Sequence, residues 1–343
     1  MFSFNLKKRI ILIFLLFFSC INQNRLIKKN LYLENGNKYL KNNEYKSAIR
    51  FYKSAIEIDN SFSKAYNNIG ITYYKNKSYI KAIENYDYAI QINSYSIKPY
   101  YNRANTFLKL KKWKNSLIDL KFIAKKYPDS SKIYFAIGIA NNGLLKYRSA
   151  LNFFFRSLFL SKNKEIYNNI GTIYYFMKKY KLSESFIKKA IEINNNNAYA
   201  YNTWGMIKGK LMHYKIALVL INNAIFLEPN QSFFYNNRGY IYINTKKYKE
   251  SKKNINTSIF INPYNAWSYR NKGIFYIKKN KYKIAKKIFK KAKNLNNKIE
   301  ELYYYMAKSY FMLYEKNKSL ALWKKELKNY NILFKKKVIR IYN

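Results

Sequence analysis

Tyrosine returns along this chain with a period of 34 residues, and this regularity constrains the possible fold more than any other feature. With one step of 33 residues, the series is Tyr32, Tyr66, Tyr100, Tyr134, Tyr167, Tyr201, Tyr235, Tyr269 and Tyr303. A fixed period in this range indicates one small structural unit repeated many times. Such a unit cannot bury its apolar surface alone, so we expect neighbouring units to stack and share a continuous core.

Other residue types keep the same register. A small residue follows each tyrosine by four positions: Gly36, Gly70, Ala104, Gly138, Gly171, Gly205, Gly239, Gly273 and Ala307. A second small column lies twelve residues later, from Ala48 to Ser319, and an aromatic column from Tyr45 to Tyr282 lies between the two. Pro128, Pro229 and Pro263 each come 24 residues after the first small column. Since proline cannot continue a helix, it marks the end of each unit.

The spacing within a unit predicts two helices. In the second unit Tyr66, Gly70 and Tyr73 lie at i, i+4 and i+7, on one face of a helix. Glycine in a helix costs about 1 kcal/mol relative to alanine, so we expect close contact with the small column of a partner helix to offset that cost. The pattern predicts helix A at about 63–75 and helix B at about 79–92.

These four columns resemble the tetratricopeptide repeat, over residues 29–333. The resemblance implies an all-α, right-handed superhelical solenoid of about nine helix hairpins, with helix A on the concave side. Asn141 and Lys208 depart from the pattern, because other repeats have tyrosine or phenylalanine there. Residues 334–343, with Lys335, Lys336 and Lys337, are predicted to be a basic C-terminal cap or tail.

The first twenty residues have the pattern of a secretory signal. A basic segment, Lys7–Arg9, precedes a short apolar run, Ile10–Phe18, and then Ser19 and Cys20. The apolar run is too short to span a bilayer, which takes about 20 residues. Phe17–Cys20 resembles the lipobox of bacterial lipoproteins, which implies a signal peptide over 1–19, lipidation of Cys20 and a lipidated tether over 20–28. The alternative is an uncleaved signal anchor in which the cysteine has no role.

No arrangement of residues for catalysis is present in the sequence. Cys20 is the only cysteine and His213 the only histidine, which excludes an intramolecular disulfide, a thiolate zinc site and a Cys/His pair apart from these two. Neither phosphate-binding glycine motif occurs. We therefore expect a protein that is not an enzyme and that has no catalytic residues, no metal and no cofactor.

Asparagine recurs two residues before the small column, on helix A. Five repeats have it, at Asn68, Asn102, Asn169, Asn237 and Asn271. An amide side chain carries both a donor and an acceptor and can pair with a peptide backbone of any sequence. The spacing resembles the asparagine ladder of O-linked N-acetylglucosamine transferase, which implies a peptide-binding role, with aromatic anchors at Tyr101, Phe135, Tyr199, Phe233, Tyr240 and Trp267. The alternative is that asparagine is simply common in this chain.

The net charge of +49 has two interpretations. The first is that a strongly AT-biased genome enriches the chain in lysine. The second is that the charge is functional and attracts anionic partners. Residues 245–343 hold 27 lysines and arginines and 5 acidic residues, a gradient that genome bias explains least well. It predicts contact of the C-terminal third with an anionic polymer or an acidic protein.

These features together predict a membrane-tethered scaffold that binds a protein or extended peptide in its concave groove. We expect it in the bacterial cell envelope, lipid-anchored on the periplasmic or surface side, in assembly of envelope or surface complexes. The alternative is an electrostatic binder of anionic cell-wall polymer or of a membrane surface. Nucleic acid is disfavoured as a partner because the chain has an export signal.

Overall fold

The computed structural model describes residues 23–161 and 165–329, and within these ranges it contains α-helices and short turns but no strand. The all-α prediction is thereby confirmed. Helix α1 covers residues 23–41. The others are α2 Tyr45–Ile58, α3 Ser63–Lys75, α4 Tyr79–Ile92, α5 Ile97–Lys109, α6 Trp113–Lys126, α7 Ser131–Gly143, α8 Tyr147–Leu160, α9 Glu165–Phe176, α10 Tyr180–Ile193, α11 Ala198–Lys210, α12 Tyr214–Leu227, α13 Ser232–Asn244, α14 Tyr248–Ile261, α15 Ala266–Lys278, α16 Tyr282–Leu295, α17 Leu302–Phe311 and α18 Lys316–Asn329.

The chain divides into two compact units, Met1–Asn163 and Lys164–Asn343. In its described part the first unit holds four helix hairpins, α1–α8, and the second holds five, α9–α18. Odd-numbered helices are the A helices and even-numbered helices the B helices. The predicted bounds of the second repeat, 63–75 and 79–92, agree with α3 and α4. Each unit is therefore a stack of antiparallel hairpins.

The glycine column makes room for a large side chain of the partner helix. A Cβ atom on Gly70 would lie 2.5 Å from the ring of Tyr86, and one on Gly171 would lie 2.7 Å from Ile187. The small column does lie against the same helix, because the Ser183 hydroxyl donates to the Gly171 carbonyl at 2.7 Å. The close approach of the small column is thus present, and the structure adds that the side chain sixteen positions later leaves no room for a Cβ atom.

Polar contacts explain the two residues that depart from the repeat pattern. Asn141 is buried, and its amide donates to the Ile137 carbonyl within its own helix. Lys208 places its ammonium 2.8 Å from a carboxylate oxygen of Glu184, to which Trp204 also donates. A polar residue is tolerated at these positions because it has a partner.

The N-terminal helix starts earlier than the predicted repeat array. Residues 23–28, which were assigned to the tether, already belong to α1. The predicted signal segment, Cys20 and the predicted basic tail at 334–343 lie outside the described residues, so their boundaries stay predictions. Among the described helices, none is both long and apolar enough to cross a membrane.

Candidate functional site

The second unit contains a cavity of about 380 Å³ along its A helices. Four consecutive A helices, α9, α11, α13 and α15, contribute its lining, and Glu300, in the loop before α17, completes it. The lining consists mainly of amide and aromatic side chains, together with two cations. The 34-residue repeat places equivalent side chains of successive helices next to each other, which is why one surface recurs along the cavity.

Asparagine side chains form a hydrogen-bonded relay across three of these helices. Asn271 donates to the side-chain oxygen of Asn236 at 2.8 Å, and Asn237 donates to that of Asn202 at 2.9 Å. Asn236 also donates to Asn237, at 3.4 Å, which joins the two bonds into one relay. Each inter-helix bond spans 35 residues, so the relay links adjacent repeats through paired asparagine columns.

The relay stops at α9, where the side-chain oxygen of Asn168 receives no hydrogen bond. Asn168 occupies the position that would accept from residue 203, but residue 203 is threonine. The Thr203 hydroxyl donates to the Tyr199 carbonyl within its own helix, at 2.9 Å. The side-chain oxygen of Asn168 is buried and has no hydrogen-bond partner. The missing bond would come from a donor at position 203, because Asn168 and Thr203 both line the cavity.

Aromatic rings provide the apolar surface of the cavity. Tyr199 and Phe233 come from neighbouring helices, and their ring centroids lie 5.6 Å apart. Tyr175, Tyr240 and Trp267 complete this surface. Burial raises the pKa of Tyr175 far above its ordinary value, so its hydroxyl stays protonated. Rings of this kind supply large contact areas at little cost in side-chain entropy.

Two cations lie against these rings. The Arg270 side chain is buried, with its guanidinium 4.8 Å from the Trp267 ring and 5.6 Å from the Tyr240 ring. It donates to the Glu300 backbone carbonyl at 2.9 Å and to Asn271 at 3.2 Å. The Lys210 ammonium lies 5.8 Å from the Tyr240 ring. These are cation–π distances, so the rings hold both charges beside the cavity.

Lys210 keeps its positive charge beside the cavity. Burial opposes protonation of Lys210, but Tyr240 and the carboxylates of Glu301 and Glu300 raise its pKa above the ordinary value, so it stays charged. Glu300 forms an ion pair with Lys178 at 3.5 Å.

Within the described ranges, no group of three histidine, cysteine or acidic side chains is placed to hold a metal ion.

The predicted asparagine site is divided between the two units. Asn169, Asn237 and Asn271 line the cavity of the second unit. In the first unit a second relay runs across α5, α3 and α1: Asn102 donates to Asn67 at 2.9 Å, Asn67 to Asn68 at 3.2 Å, and Asn68 to Asn37 at 2.9 Å. Of the predicted aromatic anchors, Tyr199, Phe233, Tyr240 and Trp267 line the cavity, whereas Tyr101 and Phe135 belong to the first unit.

Sequence reasoning missed the partners of these asparagines. Asn67, Asn202 and Asn236 accept from the next repeat, although the sequence interpretation treated them as ordinary composition. A spacing of 35 residues between the two columns was the signal that could have identified them. Lys210 belongs to a lysine column five residues after the small column, with Lys41, Lys75, Lys109 and Lys278, which the sequence interpretation did not single out. Arg270 has no arginine at the equivalent positions of the other repeats, so only the packing of the helices identifies it.

Family comparisons agree with this architecture. A TPR repeat model matches residues 36–77, and a tetratricopeptide repeat model matches residues 63–96. A second tetratricopeptide repeat model matches three segments, 164–197, 234–265 and 268–299. The chain is therefore a tetratricopeptide repeat protein. A comparison with curated proteins found no match.

Solved structures with the same fold include two helical repeat proteins. Cut9, in the Cut9–Hcn1 hetero-tetramer of the APC/C, aligns with a TM-score of 0.59 at 13% identity, over 91% of this chain and 65% of that chain. PilF of Pseudomonas aeruginosa aligns with a TM-score of 0.51 at 18% identity, over 60% of this chain and 94% of that chain. At such identities the likeness establishes the fold alone. The tetratricopeptide repeat matches define a scaffold of the class that acts through protein–protein interaction.

Proposed function

We propose that this protein is a membrane-tethered scaffold and that the cavity of its second unit holds an extended segment of a partner protein. The observation that carries the proposal is the lining of that cavity, in which four successive repeats present amide groups beside aromatic rings. An extended chain offers backbone donors and acceptors at regular intervals, and a regular row of amides matches that arrangement.

The asparagine relay leaves capacity for such a ligand. Each asparagine amide has two N–H donors and an oxygen with two lone pairs. The bond between Asn237 and Asn202 uses one donor and one lone pair. The relay therefore holds the amides in fixed orientations while part of each amide can still bind a backbone group.

The aromatic rings and the two cations strengthen binding of the partner segment and fix its orientation in the cavity. Phe233, Tyr240 and Trp267 can receive apolar side chains of the partner. Arg270 and Lys210 favour an anionic group of the partner at the α15 end of the cavity. The partner segment thus combines apolar residues with at least one anionic group.

The tether is supported by the sequence of the first twenty residues. Acylation of Cys20 would add chains whose burial in lipid contributes about 0.8 kcal/mol for each methylene group, enough for firm attachment with two or more chains. The cell envelope, on the periplasmic or surface side, is the location that such a signal implies, and assembly of envelope or surface complexes is the role that we propose there.

Site-specific photocrosslinking in intact cells tests the groove. A photoreactive phenylalanine replaces Tyr240 in the cavity, and a matched protein carries it at Tyr88, an exposed position on the B helix α4. The expected result is a discrete adduct from position 240, lost when Phe233 and Trp267 are changed to serine, and no such adduct from position 88. Equal adducts from both positions would contradict a groove-bound partner.

A second candidate function is electrostatic binding of an anionic polymer by exposed lysines. Lys278, Lys279, Lys281 and Lys283 flank the turn between α15 and α16 and are exposed. An anionic cell-wall polymer bound there would be released by salt, because screening weakens exposed charge pairs. Changing these four lysines to glutamine should remove salt-sensitive binding to isolated cell wall. Binding to cell wall that keeps its salt dependence in the variant would contradict this second function.

A further inference from the structure

In the first unit, the ends of the B helices and the beginnings of the A helices lie along one edge. The Ser63 hydroxyl at the start of α3 donates to the Ala89 carbonyl near the end of α4, at 2.8 Å. Ser131 at the start of α7 donates in the same way to Ser157 near the end of α8, at 2.9 Å. We call this the loop edge. The turns between A and B helices lie at the opposite edge, the turn edge.

Aromatic side chains project from the loop edge into solvent. Tyr95, in the loop between α4 and α5, is 83% exposed, and Phe159, in the last turn of α8, is 90% exposed. Tyr127, at the end of α6, is more than half exposed. Each of the three belongs to a different hairpin, so the rings recur along the edge. An exposed aromatic row of this kind indicates a contact surface.

The N-terminal segment reaches the first unit at this same edge. Arg25, near the beginning of the described part of α1, donates to the Ile58 carbonyl at the end of α2, and Lys29 pairs with Asp59 at 2.5 Å. The described part of α1 begins at residue 23, three residues after Cys20 in the sequence. Three residues span at most about 11 Å. A lipid on Cys20 would therefore hold the α1 end of the loop edge within about 11 Å of its attachment point.

We propose that the loop edge of the first unit lies on the surface of the membrane that carries the lipid. The inference rests on the proposed tether, and it adds the orientation of the unit and the residues that contact lipid headgroups. Tyrosine and phenylalanine with an apolar body suit the boundary between headgroups and acyl chains. Leu26 and Ile27, half exposed near the beginning of the described part of α1, would enter the same layer.

The turn edge provides the internal comparison. It carries lysines, among them Lys77 and Lys111, and two exposed apolar side chains, Ile80 and Leu145. Charge alone would bring this edge to an anionic membrane. The anchor position and the aromatic row favour the loop edge instead. The two explanations therefore predict that opposite edges of the same molecule contact the membrane.

Hydroxyl-radical footprinting of the full chain on vesicles distinguishes the edges. The protein is reconstituted in vesicles of phosphatidylethanolamine and phosphatidylglycerol, oxidised, and compared with the same sample dissolved in detergent. Oxidation of Tyr95 and Phe159 should fall several-fold on vesicles, while Ile80 and Leu145 keep their rates. The same digest gives the mass of the Cys20 peptide, which shows whether Cys20 carries a lipid. The proposed tether and the proposed orientation are therefore tested by separate measurements.

A matched pair of double variants supplies the control. Tyr95→Ser with Phe159→Ser should abolish the protection of Tyr127, whereas Ile80→Ser with Leu145→Asn should leave it unchanged. Protection that moves to Ile80 and Leu145, or equal oxidation at both edges, would overturn the proposal. Protection that grows with protein density on the vesicle would also overturn it, because a second copy would then cover the edge.

Discussion

Restoring the missing bond of the asparagine relay should stabilise the second unit. Thr203→Asn places an amide donor opposite the buried oxygen of Asn168, which has no partner. The two intact inter-helix bonds of the same unit, at 2.9 and 2.8 Å, give the geometry that the new amide can adopt. Both residues line the cavity, so the larger side chain has space.

The expected gain follows from the cost of an unpaired buried acceptor. Leaving such a group without a partner costs about 1–3 kcal/mol, and a typical hydrogen bond contributes about 1 kcal/mol net. Fixing the asparagine side chain and giving up the bond from Thr203 to Tyr199 offset part of this. We expect Thr203→Asn to raise the free energy of unfolding by about 1 kcal/mol.

Urea denaturation followed by circular dichroism measures the change. Asn237→Thr is the matched reverse variant, because it removes the donor to Asn202 and should lower the free energy of unfolding by about 1–3 kcal/mol. The gain should vanish when Asn168→Val is combined with Thr203→Asn. A Thr203→Asn protein no more stable than wild type, together with an Asn237→Thr protein of unchanged stability, would refute the role of the relay.

Three further predictions address packing, charge and the tether. Gly171→Leu should lower the free energy of unfolding by about 1–3 kcal/mol, because the site is filled by Ile187, whereas Lys181→Leu on the exposed face of α10 should change it little in the same melts. Although burial raises the pKa of Glu184, hydrogen bonds from Lys208 and Trp204 hold it below the ordinary 4.5. The stabilisation from the ionised Glu184 carboxylate is thus present above pH 4.5 and is lost as the pH falls through the lower folded-state pKa. Glu184→Gln should therefore lower the free energy of unfolding by about 0.5–1 kcal/mol at neutral pH and by progressively less in acid. A stability difference that does not depend on pH would contradict this. Metabolic labelling with a fatty acid should mark the wild-type protein and leave Cys20→Ala unlabelled, and label that persists in Cys20→Ala would exclude lipidation at this residue.

The repeat pattern by itself determined the fold. Tyrosine, glycine and the small column recur because each hairpin must present the same shape to its neighbours, so a local sequence rule specifies a global stack. The bounds of α3 and α4 followed from this periodicity alone, since helix starts and ends depend on neighbours in sequence. The five asparagines on the A helices were also found in this way, because equal spacing places equivalent residues in equivalent positions.

Only the tertiary structure decided what those asparagines contact and where a cavity forms. Asn237 meets Asn202 because α13 packs beside α11, a relation between helices that sequence spacing does not specify. The cavity depends on single residues that break the repeat: Thr203 ends the relay, and Arg270 brings a buried charge. Periodic sequence predicts what every repeat shares, whereas a binding site arises where individual repeats differ, and those differences acquire meaning only through the side chains that packing brings against them.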